Sequence, residues 1–119
     1  MGACYDVELK LNVKDEDLLK KLMNKYIDEN NGFVVFNLEE RDRNNLVDLV
    51  KIFITDRCFS VNGDVYESSF EASYGWESVM TESFEEYAEA LEDGSYIIIW
   101  PDNDYDKIIV KNGKAKWIH

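Results

Sequence analysis

At 119 residues, with 45% hydrophobic and 32% charged residues, the chain has the size and composition of one folded globular domain, residues 1–119. Its formal net charge of −12 argues against direct binding to nucleic acid or to an anionic membrane surface, because neutralising phosphates takes clustered Lys and Arg. Two cysteines, Cys4 and Cys58, are too few for a disulfide framework, and no apolar run nears the ~20 residues of a membrane-spanning helix.

Residues 3–13 alternate. Tyr5, Val7, Leu9, Leu11 and Val13 fall on one side, with Asp6, Glu8, Lys10 and Asn12 on the other, the pattern of a half-buried strand. Asp15 then offers a helix cap, and Leu18, Leu19, Leu22, Met23, Tyr26 and Ile27 repeat at helical spacing until Asn30-Asn31-Gly32. Glu16 with Lys20 and Asp17 with Lys21 are acid-before-base pairs four residues apart, the favourable order. Residues 32–38 read as a short strand. A second helix follows from a cap at Asn44, with Leu46, Leu49, Val50 and Phe53 as its buried stripe and Arg57 at its end.

Asn62-Gly63 is a hairpin signal joining residues 58–61 to 65–74, where Tyr66, Phe70, Ala72 and Tyr74 share one face. A third helix is predicted over 76–91, with Trp76, Met80, Phe84, Tyr87 and Leu91 on one face and Asp93-Gly94 as its stop. Ser83 and Glu86 also match a capping box, which marks Ser83 as a candidate break. Residues 95–100, 106–110 and 114–118 form a strand meander, turning at 101–104 and at Asn112-Gly113. Because Ile97 and Ile99 alternate with Tyr96, Ile98 and Trp100, the first of these strands is expected to be central and covered on both faces. The predicted class is α+β: a mainly antiparallel sheet of about five strands with three helices, mostly on one face, in the order β-α-β-α-ββ-α-ββ.

Charge is distributed unevenly. The first 57 residues carry nine bases and twelve acids, residues 58–106 carry thirteen acids and no base, and the last thirteen carry four bases and no acid. On the predicted third helix, Glu82, Glu85, Glu86, Glu89, Glu92 and Asp93 fall within about 120° of arc, opposite the apolar face. Like charges four residues apart cost ~0.2–0.5 kcal/mol each, and acids near a helix C-terminus oppose its dipole. Local stability therefore did not select this face. It serves either as a solvated surface, balanced by Lys107, Lys111, Lys114 and Lys116, or as a binding face for a basic partner.

Other constellations carry less. Asp102, Asp104 and Asp106 alternate as in a calcium loop, but Lys107 and Gly113 stand where that loop needs Gly and Glu, so a polar turn is expected. His119, the single histidine, is terminal and poorly placed to act as a general base. Cys4, Cys58 and His119 lack zinc-ligand spacing, and no phosphate-binding glycine loop occurs. No catalytic residue, cofactor or metal ligand is assigned. Trp76, Trp100 and Trp117, with Tyr74, Tyr96 and Tyr105, are either core or surface aromatics able to stack on sugars or anchor a protein contact; Trp76 and Trp100 are expected in the core.

Two functions are compatible with these features. One is a small cytoplasmic, non-enzymatic interaction protein that presents the acidic helix face to a basic protein, with nucleic-acid mimicry as its sharpest form. The alternative is a small carboxylate-using hydrolase, or a carbohydrate or small-molecule binding protein. An exposed edge strand of the terminal meander is also compatible with a homodimer.

Overall fold

The structure, a computed structural model, describes residues 4–30, 42–54, 59–73, 76–100 and 106–118. The expected strand over 32–38, the helix end at Arg57, the turn over 101–104, and Cys58, Tyr74, Tyr105 and His119 lie outside the described residues, as do the side chains of Cys4, Tyr5, Ala72 and Trp76.

Strand β1 (Cys4–Asn12) follows the predicted alternation. Val7, Leu9 and Leu11, and Val13 just beyond, are buried, while Asp6 is exposed and Glu8, Lys10 and Asn12 are partly buried. This strand lies inside a six-stranded antiparallel sheet of order β2-β3-β1-β4-β5-β6. The other strands are β2 (Phe59–Asn62), β3 (Val65–Ser73), β4 (Tyr96–Trp100), β5 (Asp106–Lys111) and β6 (Lys114–Ile118). The class is α+β as predicted, with six strands among the described residues where about five were expected.

Both hairpin signals hold, with different turns. Asn112 and Gly113 have φ of 55° and 74°, the two positive values of a type I′ turn between β5 and β6. Between β2 and β3, Asn62 pairs with Val65, so the corner residues are Gly63, with φ of 63°, and Asp64. Only the first corner has positive φ, as a type II′ turn requires, and the turn sits one residue later than predicted.

Helix α1 (Glu16–Glu29) is capped by Asp15, whose carboxylate accepts from the Leu18 N–H at 3.1 Å. Its buried residues are Leu19, Met23, Tyr26 and Ile27. Lys20 approaches Asp17 at 3.8 Å, three residues away rather than in the expected pair with Glu16, and Asp17 is 95% exposed, so this contact contributes little. In helix α2 (Leu46–Ile54) the capping contact comes from Asn45, not Asn44: its side-chain oxygen accepts from the Asp48 N–H at 3.2 Å.

Helix α3 (Trp76–Tyr87) is shorter than predicted and gives way to a 3₁₀ turn at Ala88–Ala90. Ser83 does not break it; its hydroxyl donates to the Met80 carbonyl at 3.1 Å inside the helix. The end is set by the last residue of β1 and the three residues after it. The Ala90 carbonyl accepts from the N–H groups of Lys14 and Asp15 at 2.9 and 3.1 Å, and Leu91 bridges to Val13. The Glu92 N–H then donates to the Asn12 carbonyl at 2.7 Å. These long-range bonds take the groups that would otherwise extend the helix.

One core joins the sheet to all three helices. Phe53 of α2 lies 6.0 Å from Tyr26 of α1 and 6.3 Å from Tyr87 of α3, and Tyr87 meets Phe84 edge-on at 5.7 Å. Ile97 and Ile99 of β4 and Ile108 and Val110 of β5 face this core. Tyr96, Ile98 and Trp100 lie on the opposite sheet face and are only partly buried. The strand is internal, as expected, but the helices cover one side of it; Trp100 is not in the core. No described helix is long and apolar enough to cross a membrane.

Candidate functional site

The acidic surface follows from how α3 is anchored. Met80, Phe84 and Tyr87 are buried to 1% exposure or less, and Val79 and Ser83 are buried beside them. At 3.6 residues per turn, fixing that side inward turns Glu82, Glu85 and Glu86 outward, and all three are exposed. Glu89, in the 3₁₀ turn, and Glu92 and Asp93, beyond it, are exposed as well. The six acids therefore share the outer surface but not one helical arc, because α3 ends at Tyr87.

Their surroundings differ. Glu82 and Glu86 look toward α1. The Tyr26 hydroxyl donates to Glu82 at 3.5 Å. The Glu86 carboxyl is raised above its ordinary value by desolvation first and then by the Glu29 carboxylate, with Lys25 pulling the other way and Glu82 adding to the rise. Glu85, Glu86 and Glu89 line one wall of an open groove of about 400 Å³, whose other wall is Gly113, Lys114 and Ala115 of the β5–β6 hairpin. Asp93 is engaged by backbone: its carboxylate accepts from the Asn112 N–H at 2.9 Å. The ion pairs found among the described residues are Lys10–Glu67, Lys20–Asp17 and Arg43–Asp28, none of which involves an α3 acid.

A second polar surface was only half legible in the sequence. On the sheet face away from the helices, paired residues form three rows across the strands. The first is Glu67, Lys10, Tyr96, Ile109 and Lys116; the second is Ser69, Glu8, Ile98, Lys107 and Ile118; the third is Glu71, Asp6 and Trp100. The β1 alternation placed Asp6 and Glu8 on a polar side, but Glu67 and Glu71 join them only through strand pairing. A trough of about 310 Å³ crosses this face between Glu8, Glu67 and Tyr96. Its groups are engaged within the sheet. The Tyr96 hydroxyl donates to Glu8 at 2.8 Å, Lys107 Nζ lies 4.9 Å from the Tyr96 ring centre, and Lys10 approaches Glu67 at 3.8 Å. The hydrogen bond to Glu8, then burial, pushes the Tyr96 phenol up to about 12.

Among the described residues, no group of three or more His, Cys, Asp or Glu side chains is arranged to hold a metal ion. Comparison with protein-family models, curated proteins and solved structures returns no match. Any functional reading therefore rests on the surface chemistry of this chain.

Proposed function

We propose that the protein is a non-enzymatic binding protein that presents the outer face of α3 and its following turn to a basic protein partner. The supporting observation is the exposure of Glu82, Glu85, Glu86 and Glu89 with no ion pair to any of them among the described residues. A predominantly acidic surface of this kind steers a positively charged partner and repels wrong ones. Nucleic-acid mimicry is the sharper form of the same reading. Three carboxylates over residues 82–86 rise ~6 Å along the α3 axis, one per ~3 Å, against ~1.7 Å per charge on duplex DNA.

The hydrolase or small-molecule alternative draws less support. The trough on the sheet is open, and Glu8 and Glu67 are already bonded to Tyr96 and Lys10. The deciding experiment compares immobilised wild type with a variant carrying E82Q, E85Q, E86Q and E89Q in a pull-down from native lysate. Wild type is expected to retain basic proteins that elute as salt rises, and the variant to lose them; release by added duplex DNA marks mimicry. Recovery of the same proteins by both refutes the reading.

A further inference from the structure

The sheet face away from the helices is covered by no other described element, and its charges are unevenly divided. Asp6, Glu8, Glu67 and Glu71 lie on β1 and β3, toward one side of the sheet, with Lys10 among them; Lys107, Lys111, Lys114 and Lys116 lie on β5 and β6, toward the other. Between them stand the partly buried apolar groups Tyr96, Ile98 and Ile109. A uniformly basic partner would meet repulsion over half of such a face. A surface with the same division, reversed left to right, would not, and a second copy of this chain turned through a half-rotation is such a surface.

We propose that the protein forms a twofold dimer by packing this sheet face against the same face of a second copy, about an axis parallel to the strands. The choice of axis follows from strand order. A half-turn about a line parallel to the strands, between β1 and β4, sets β3 of one copy over β5 of the other and β1 over β4. A half-turn about the perpendicular in-plane line would set β3 over β3, acid on acid.

In the favoured arrangement Lys107 sits over Ser69, whose small side chain leaves room for it. Glu67 and Glu71 lie one step to either side along the same strand. Glu8 lies over Ile98 and Lys10 over Tyr96, so that at the centre each aromatic and aliphatic β4 strand packs on β1 of the other copy. Face-to-face sheets pack ~10 Å apart, within reach of these side chains.

Size sets the affinity class. Six strands ~4.8 Å apart and five residues rising ~3.4 Å each give a flat patch of roughly 500 Å² per copy. That is below the ~800 Å² per partner of a standard stable interface, so association is expected at submillimolar rather than nanomolar concentration. Edge pairing is disfavoured at β6, where it would bring Lys114 and Lys116 of the two copies together. The α3 acids, on the opposite side of the sheet, stay exposed in the dimer, so this inference stands independently of the proposed function.

Sedimentation equilibrium tests it on three proteins. Wild type is expected to approach twice the monomer mass as concentration rises into the submillimolar range. K107E alone and E67K/E71K alone are each expected to remain monomeric. An equimolar mixture of the two variants is expected to regain the dimer, because each reversed charge then meets its opposite. Circular dichroism confirms that both variants fold. A monomeric wild type across this range, a dimer that survives K107E, or a mixture that stays monomeric would each overturn the proposal.

Discussion

Neutralising the α3 acids should stabilise the protein while abolishing its binding. In α3, Glu82–Glu85 and Glu82–Glu86 are like-charge neighbours three and four residues apart, each costing about 0.2–0.5 kcal/mol at low salt. Glu85 and Glu86 fall in the last turn, which holds no basic residue, and each opposes the helix dipole by about 0.3–1 kcal/mol. Glu29 adds repulsion at Glu86, partly offset by Lys25. The Tyr26 hydroxyl bond to Glu82 is long, at 3.5 Å, and a glutamine oxygen can still accept it.

The E82Q/E85Q/E86Q/E89Q variant is therefore expected to gain about 1–2 kcal/mol at low salt, a rise in melting temperature of roughly 5 °C for a domain of this length. Thermal and urea denaturation followed by circular dichroism measure it. At about 1 M salt, where the screening length is ~3 Å, the difference from wild type should close. Unchanged or lower stability at low salt would show that the hairpin lysines and α1 already neutralise these acids, and the case for an unpaired binding face would fail with it.

Two further expectations test the fold that carries this surface. Ser95 is 1% exposed, and its hydroxyl accepts from the Asn12 N–H at 2.9 Å while donating to the Glu92 carbonyl at 2.9 Å. Ser95→Ala leaves that N–H unpaired and should cost about 1–3 kcal/mol in urea denaturation; no measurable loss would mean that another group satisfies it. At alkaline pH, Tyr26 is pushed up to about 12 by burial, then by Glu82 and Glu86, Tyr96 to about 12 by its bond to Glu8 and then by burial, and Tyr87 further up by burial. Each neutral phenol favours the fold, so this stabilisation is complete below the unfolded value of ~10 and is lost as pH climbs toward about 12. Absorbance at the phenolate band should show these three ionising only well above their ordinary value; ionisation of all seven tyrosines near that ordinary value with the fold intact would refute the assignment.

The class of fold was legible because its signals are local. The β1 alternation, the Leu19-Met23-Tyr26-Ile27 stripe and the positive-φ corner at Asn112-Gly113 each arise from residues close in the chain, and each is found where the sequence placed it. The exposure of the α3 acids was legible for the same reason: Met80, Phe84 and Tyr87 fix which side of the helix turns inward. What tertiary structure alone decided is pairing across distance. Strand order unites Glu67 and Glu71 with Asp6 and Glu8, and it turns Trp100 to the sheet face away from the described helices, out of the core. The hydrogen bonds from Lys14 and Asp15 to Ala90 end α3 early and carry Glu92 and Asp93 off its arc. Periodicity reports which residues share a face of one element. It carries no information about which strand lies beside another, because that choice depends on how separate segments bury their apolar sides together.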